Sequence, residues 1–256
     1  MSRNPIARVL STLLEHEVAF LLMGGQACIG YGAAEFSRDL DVVVLGARPN
    51  LAALEKALSA LEAELVYVPP LSAQVLERGH ACHFRCQAEG LGGLRLDVMA
   101  RLRGVDAFPG LWLRRNELNV PGVGLVPLLS VEDLVKAKKT QRDKDWPMIR
   151  RLVEADVYRA GPQVSTEKVS FWLSEGRTCE LLLELARRFP EEARAVAGRR
   201  PAIEAAVRGD ATAVARLLLE EQESERELDR RYWEPLKQEL ERWRHAGRTS
   251  VSRPRD

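Results

Sequence analysis

Between Phe20 and Leu45 the chain reads FLLMGGQACIGYGAAEFSRDLDVVVL. A short apolar run ends in the pair Gly24 and Gly25, and a second run, rich in β-branched residues, begins with Asp39 and Asp41. Both runs are too short for helices, and their composition favours buried strands. The sequence therefore predicts two neighbouring strands that frame a glycine turn and a small helical segment.

The two aspartates of this stretch lie on the same face of the second predicted strand. Side chains alternate along a strand, so Asp39 and Asp41 point the same way, roughly 6.6 Å apart along the strand. Two adjacent carboxylates at the start of a buried strand repel each other unless a cation lies between them. Mg²⁺ is held by one or two carboxylates together with substrate phosphates. The pair indicates a magnesium site, although edge carboxylates paired with Arg38 would explain the same residues.

A third carboxylate follows on a later strand. In the run LRLDVM, from Leu94 to Met99, alternation puts Asp97 on the face opposite the leucines. The preceding segment, Ala81 to Gln87, also alternates, and a glycine-rich turn separates the two. We therefore predict a β-hairpin that delivers Asp97 beside the paired aspartates. His83 and Arg85 lie on its polar face, where they either approach the site or simply face solvent.

The glycine pair and the spacing of the aspartates resemble the nucleotidyltransferases of the DNA polymerase β superfamily. In that superfamily the glycines hold the nucleoside triphosphate, and the aspartates hold Mg²⁺ or Mn²⁺ with help from a third carboxylate on an adjacent strand. Glycine suits this role because a residue without Cβ lets backbone N–H groups approach a phosphate closely. The resemblance implies metal-binding and catalytic roles for Asp39, Asp41 and Asp97, and nucleotide binding by Gly24, Gly25 and Ser37.

A second block, from Leu128 to Asp145, extends the resemblance. It is similar to the helix and following "RxKD" segment of the AbiEii-like and related minimal nucleotidyltransferases, which include toxins of toxin–antitoxin systems. The resemblance, which covers about residues 18 to 153, implies that Lys138 contacts the triphosphate and that Arg142, Lys144 and Asp145 support it. A solvated helix face is the alternative explanation of these charges.

The activity implied is the Mg²⁺-dependent transfer of a nucleoside monophosphate from an NTP, such as ATP, to an acceptor hydroxyl, with release of pyrophosphate. Asp39 and Asp41 would hold Mg²⁺, while Asp97 would help hold a second ion and act as, or position, the general base. The resemblance favours tRNA or protein as acceptor, in a toxin or defence enzyme that can have a cognate antitoxin or other protein partner. Two alternatives stay open: an antibiotic or other small molecule as acceptor, and a catalytically inactive module of the same fold that binds a protein.

Composition and charge set the broad class. The chain carries 38 basic and 37 acidic residues for a net charge of +1, so it has no global electrostatic footprint for nucleic acid. No apolar run is long enough to cross a bilayer, and the N-terminus does not read as a secretory signal. We therefore expect a cytoplasmic protein without membrane contact. The four cysteines have neither zinc-site spacing nor a disulfide-rich context.

The predicted fold class is α+β: a mixed sheet of the nucleotidyltransferase type, flanked by helices and followed by an all-helical C-terminal region. The domains expected are a nucleotidyltransferase domain over residues 1–160, a helical domain over 161–246 and a disordered tail over 247–256. Five further elements are predicted: a helix at Leu51 to Glu64, short strands at Leu111 to Leu113 and Val123 to Val126, and separate helices at Ala211 to Glu220 and Glu221 to Arg244.

Overall fold

The structure is a computed structural model that describes residues 4–161 and 163–251, with side chains described through residue 245. The helices described are α1 (Pro5–Glu15), α2 (Gly24–Gly30), α3 (Arg48–Ala60), α4 (Ala73–Glu77), α5 (Phe108–Leu113), α6 (Val131–Ala137), α7 (Asp145–Arg159), α8 (Thr166–Glu175), α9 (Cys179–Arg188), α10 (Pro190–Ala197), α11 (Pro201–Val207) and α12 (Ala211–Val251). The strands described are β1 (Phe20–Met23), β2 (Asp39–Val44), β3 (Ala63–Leu65), β4 (Cys82–Cys86), β5 (Leu94–Met99), β6 (Asn116–Val120) and β7 (Gly124–Leu128).

In the part of the chain that the structure describes, seven strands form one mixed sheet in the order β3-β4-β5-β2-β1-β7-β6. Strand β2 pairs in parallel with β5, and β1 pairs in parallel with β7. The pairs β1 with β2, β3 with β4, β4 with β5 and β6 with β7 are antiparallel. This mixed sheet with its helices and long helical C-terminal region confirms the predicted α+β class.

The segment from Phe20 to Leu45 supplies β1 and β2, two inner strands of this sheet. Phe20 and Leu21 of β1 are fully buried, as are Val42, Val43 and Val44 of β2, so neither strand could lie at an exposed edge. The alternation at the start of β2 leaves Asp39 and Asp41 half-buried on one face while Leu40 and the valines enter the core. The predicted placement of the carboxylates on one face of a strand is therefore confirmed.

A buried asparagine fastens the first turn of α3 to the ends of the two central strands. The backbone N–H of Ala19 donates to Asn50 Oδ1 (2.6 Å), and Asn50 Nδ2 donates to the carbonyl oxygens of Ala19 (3.1 Å) and Leu45 (2.8 Å). Asn50 is only 7% exposed, so all three bonds are shielded from water. The residue satisfies backbone groups just outside β1 and β2 and so helps to hold the two strands together.

The predicted strand at Leu111 to Leu113 is wrong, because these residues end helix α5. Pro109 lies in the first turn of that helix, where its missing N–H costs no hydrogen bond. Phe108 and Leu111 are both buried and lie three residues apart, which is a helical spacing. Three consecutive apolar residues show neither a helical nor a strand period, so the proline and the packing determine the secondary structure of this segment.

Two other boundaries differ from the sequence prediction. The helix predicted to reach Glu64 ends at Ala60, because Glu62 adopts a left-handed backbone (φ +46) and turns the chain into β3. The helices predicted on either side of Glu220 are one helix, α12, since no helix-breaking residue separates them. That helix continues to Val251, so residues 247–251 are helical rather than a disordered tail, and residues 252–256 lie outside the described part of the chain.

The chain groups into two compact units. One contains the chain up to Gly30, Glu35–Leu134 and the chain from Arg231 onward, and the other contains Tyr31–Ala34 and Val135–Arg230. Helix α7 is grouped with the helices after it, because it packs on α8 and its Asp156 Oδ2 accepts from Trp172 Nε1 (2.6 Å). The predicted division into domains at residue 160 stays a prediction.

Among the described helices, none is both long enough and apolar enough to traverse a lipid bilayer.

Replacing Asn50 by alanine is expected to destabilise the first unit by roughly 3 kcal/mol, because three hydrogen bonds are lost and buried backbone groups are left unpaired. Asn119→Ala is the matched control, since Asn119 lies exposed on β6. Urea unfolding followed by circular dichroism measures both variants. Equal midpoints for the two would show that Asn50 does not hold the strand ends.

Candidate active site

The glycine at the end of β1 is required by the aspartate beside it. Gly24 has a left-handed backbone (φ +65), and a Cβ placed on it would lie 1.9 Å from Asp41 Oδ2. Strand pairing brings Gly24 close to Asp41, because Met23, the residue before Gly24, is the register partner of Asp41 in the pairing of β1 with β2. Only a residue without a side chain fits this position, so the first glycine of the predicted motif lies directly against Asp41.

The second glycine is packed in the same way against Ser37. A Cβ on Gly25 would lie 2.4 Å from Ser37 Oγ. Ser37 is held in turn by two bonds, since its hydroxyl donates to the carbonyl oxygen of Asp39 (3.1 Å) and its own carbonyl oxygen accepts from Gln26 Nε2 (3.1 Å). The structure therefore brings together Gly24, Gly25 and Ser37, the three residues predicted to bind nucleotide on the first unit.

The third predicted carboxylate lies directly across from the second. In the parallel pairing of β2 with β5, Asp41 is the partner of Asp97, and Asp39 is the partner of Arg95. Leu96 and Val98 are fully buried, so Asp97 shares the half-buried face with the other two aspartates. The predicted hairpin is confirmed as β4 and β5, and it places Asp97 on the same surface of the sheet as Asp39 and Asp41.

Asp97 is held by two neighbours. Arg95 Nε donates to Asp97 Oδ1 (2.7 Å), and His83 Nδ1 lies 2.8 Å from the same oxygen. His83 is the cross-strand partner of Asp97 on β4, which resolves the choice left open for it. The same His83 nitrogen is also 3.1 Å from Arg95 Nη2.

The role of Arg95 was not predicted from the sequence, although a signal for it exists. Residues two apart on a strand share a face, so an arginine two places before a functional aspartate can always reach it. The second neighbour of Asp97, His83, is placed by the pairing of β4 with β5, and the sequence of β5 alone does not reveal that pairing. Arg85, the other residue left open, is exposed, and its Nη1 donates to the carbonyl oxygen of Gly93 (3.4 Å).

The charges on this face shift one another's ionisation. Burial alone would raise the pKa of Asp97, but the hydrogen bonds from His83 and Arg95 outweigh it and hold that pKa below its usual value. The pKa of Arg95 is raised, first by its hydrogen bond to Asp97 and then by the negative charges of Asp97, Asp39 and Asp41. Arg95 therefore lies within electrostatic reach of all three carboxylates, and Asp97 is ionised near neutral pH.

The cations predicted to contact phosphate belong to the second unit, where they surround a buried carboxylate. Lys138 is 6% exposed, and its Nζ donates to Asp145 Oδ1 (3.0 Å). The other oxygen of Asp145 accepts from Thr140 Oγ1 (2.6 Å) and Arg142 Nε (2.7 Å). Lys144 is exposed just before α7. Lys138, Arg142 and Asp145 are thus brought together. The contact of Lys138 with the triphosphate, with support from the other three residues, stays a prediction.

This cluster keeps its central carboxylate ionised. Burial raises the pKa of Asp145, but the charges of Lys138 and Arg142 and the hydrogen bond from Thr140 have the larger effect and lower it overall. A buried charge of this kind is tolerated because every one of its oxygens is paired. The Asp145 cluster therefore fixes the start of α7 to the segment that follows α6.

Within the described ranges, no three or more His, Cys, Asp and Glu side chains are gathered closely enough to hold a metal ion by themselves. All four cysteines are free thiols. The oxygen-rich face formed by Asp39, Asp41 and Asp97 is the part of the first unit whose donors suit a hard divalent cation.

No family model matches the chain, and no curated protein matches it. Among solved structures, it is similar to the antibiotic-resistance factor ANT(2'')-Ia in solution, at 12% identity and a TM-score of 0.36, over 76% of this chain and 94% of that one. A likeness this loose does not extend to activity, so the function of this chain has to come from its own residues.

Gly24→Ala is expected to destabilise the first unit more than the same change at Gly122. Both glycines have left-handed backbones (φ +65 and φ +76), which costs alanine roughly 1–2 kcal/mol. A Cβ on Gly122 has no atom within 4 Å, so only Gly24→Ala must also displace Asp41. Urea midpoints measure the difference, and equal losses would contradict the close approach of Gly24 to Asp41.

Asp145→Asn is expected to cost the second unit about 3–5 kcal/mol at neutral pH, since it leaves the buried ammonium of Lys138 unpaired. Because the folded-state pKa of Asp145 is lowered, the stability it contributes is complete above its ordinary value of 3.8 and is lost as the pH falls through the lower folded value.

The control for Asp145→Asn is Asp143→Asn, whose side chain is 91% exposed, and it should leave stability nearly unchanged. Unfolding in urea, followed by tryptophan fluorescence between pH 2 and pH 7, tests both statements. A wild-type protein whose stability advantage over Asp145→Asn does not shrink in acid would contradict the assignment.

Proposed function

We propose that this chain is a Mg²⁺-dependent nucleotidyltransferase that transfers a nucleoside monophosphate from an NTP to a hydroxyl group of a tRNA or protein acceptor. One observation carries the proposal: Asp41 and Asp97 are register partners on adjacent strands, Asp39 shares their face, and the left-handed Gly24 lies against Asp41. Three carboxylates on one face, with a glycine packed against one of them, suit the binding of a triphosphate through a divalent metal ion.

Asp39 and Asp41 are the residues that would hold Mg²⁺. Their carboxylates supply hard oxygen donors on one face, and Asp41 Oδ2 packs where a Cβ on Gly24 would otherwise lie. Mg²⁺ is commonly held by two carboxylates that share it with substrate phosphates, so two aspartates are sufficient. When bound, the ion would neutralise the charge of the triphosphate and polarise the phosphoryl oxygens.

The protein's own contribution to the reaction is positioning. The oxygen of the acceptor hydroxyl attacks the α-phosphorus, the bond from that phosphorus to the bridging oxygen of the β-phosphate breaks, and pyrophosphate leaves with the electron pair. Gly24 and Gly25 allow the phosphates to approach the backbone, which orients the α-phosphorus for attack.

The proton of the attacking hydroxyl is released as the new bond forms. A general base works best when its pKa is near the working pH, and the pKa of Asp97 is lowered. This favours a role for Asp97 in positioning neighbouring groups over a role as the proton acceptor itself, so the proton would pass to water.

The acceptor class is proposed from the resemblance to the AbiEii-like group. That resemblance supports a toxin or defence enzyme acting on tRNA or protein, with a cognate antitoxin or another protein as partner. We propose a cytoplasmic location from the sequence itself, which has no apolar run of membrane-spanning length and no secretory signal. A net charge of +1 is compatible with a protein acceptor or a small contact area on tRNA, because extensive phosphate binding calls for a basic surface.

A second candidate is a catalytically inactive module of the same fold that acts by binding a protein. The observation that favours it is the engagement of Asp97 by Arg95 and His83, which occupies one oxygen of the third carboxylate. Nucleotide binding that depends on Mg²⁺ separates the two candidates, because the inactive module does not need it.

Asp41→Asn is expected to lower nucleotidyl transfer by about a hundredfold or more, since the metal site supplies several kcal/mol of transition-state stabilisation. The assay incubates the full chain with each α-³²P-labelled NTP, Mg²⁺ and either total tRNA or cell lysate. The matched control is Asp106→Asn, an exposed aspartate paired with Arg114, which should keep wild-type transfer.

Each outcome of this assay has a defined meaning. Unchanged transfer in Asp41→Asn contradicts the assignment of the site. Bound NTP without label on RNA or protein points to a small-molecule acceptor, and absence of NTP binding favours the inactive module.

A further inference from the structure

One carboxylate oxygen of Asp97 is already engaged by neighbouring nitrogen atoms of the protein. Arg95 and Asp97 lie two residues apart on β5 and therefore share a face, and Arg95 Nε donates to Asp97 Oδ1 over 2.7 Å. Arg95 is also the register partner of Asp39 across β2 and β5. Its side chain therefore starts opposite one aspartate and reaches another along the same surface.

Arg95 is a permanent cation in this position. Guanidinium groups stay protonated in proteins, and the three aspartates favour its charged form further. The bond to Asp97 is partly shielded, because the side chain of Asp97 is 15% exposed and that of Arg95 is 40% exposed. A divalent ion bound to Asp97 Oδ1 would have to displace the arginine or lie beside it, and two cations in contact repel each other strongly.

His83, on the neighbouring strand β4, contacts the same oxygen of Asp97. Its Nδ1 lies 2.8 Å from Asp97 Oδ1, so the oxygen already has two nitrogen neighbours. The hydrogen-bond register of β4 with β5 holds His83 opposite Asp97, and β5 also holds Arg95. Both neighbours are therefore fixed by strand pairing and do not depend on a loop.

We propose that Arg95 takes the place of a second divalent ion beside Asp97, so that the site binds one divalent ion per nucleotide, at Asp39 and Asp41. This inference rests on the proposed nucleotidyltransferase function. Asp97 then acts as a positioning residue, which holds the guanidinium on the face that the triphosphate approaches. The arginine provides a fixed positive charge there, and its remaining N–H groups are the kind of donors that phosphate oxygens accept.

The test counts Mn²⁺ ions per bound nucleotide. The full chain is equilibrated with a non-hydrolysable α,β-methylene NTP and a titration of Mn²⁺, and bound Mn²⁺ is measured by electron paramagnetic resonance. Wild type is expected to hold one Mn²⁺ per nucleotide. Arg95→Met is expected to hold two, because the fixed positive charge that repels a second ion beside Asp97 is gone.

Two further variants separate charge from position. Arg95→Lys keeps a cation near Asp97 and should still hold one Mn²⁺. Arg85→Met removes an exposed arginine that lies directly across from Arg95 on β4 but does not touch Asp97, and it should also hold one. Circular dichroism tests whether each variant is folded. If Arg95→Met does not fold, the number of Mn²⁺ ions per nucleotide in wild type alone tests the inference.

The outcomes are distinct from those that test the proposed function. Two Mn²⁺ per nucleotide in wild type, or one in a folded Arg95→Met, would overturn the inference and leave the proposed function standing. A wild-type protein that binds neither Mn²⁺ nor the nucleotide analogue would overturn the proposed function itself.

Discussion

The parallel pairing of β2 with β5 is the constraint on which the candidate site depends. It sets Asp41 against Asp97 and Asp39 against Arg95, while the antiparallel partner on the other side of β2 brings Gly24 onto Asp41. A slip of one residue would turn the carboxylates toward the core and the buried side chains toward solvent. The burial of the aliphatic face therefore fixes the geometry of the acidic face.

The strands that build this site could be predicted because each carries its own signal. The β-branched run after Asp41 and the alternation around Asp97 indicate strands, and they also show which face each aspartate occupies. The contact of Gly24 with Asp41 follows once those strands are neighbours. The helix that ends at Leu113 was missed because three consecutive apolar residues fit either structure, and only packing decides between them.

The electrostatic partners could not be predicted, because they depend on register and on tertiary packing. Whether His83 meets Asp97 or solvent is decided by how β4 pairs with β5, and one residue of difference would exchange the two. Lys138 is similar: the sequence shows a cluster of cations, whereas the structure ties this lysine to the buried Asp145. A charged residue near a motif is therefore a weaker guide to its role than a carboxylate whose strand and face are known.

In the proposed function, Asp39 and Asp41 form a divalent-cation site that the nucleotide completes. The most direct test is a crystal structure of the full chain with Mn²⁺ and a non-hydrolysable NTP, with anomalous scattering used to locate the metal. We expect an anomalous peak about 2.0–2.3 Å from carboxylate oxygens of Asp39 and Asp41, with the triphosphate next to Gly24. A nucleotide bound elsewhere, or Mn²⁺ held away from these two aspartates, would contradict this assignment.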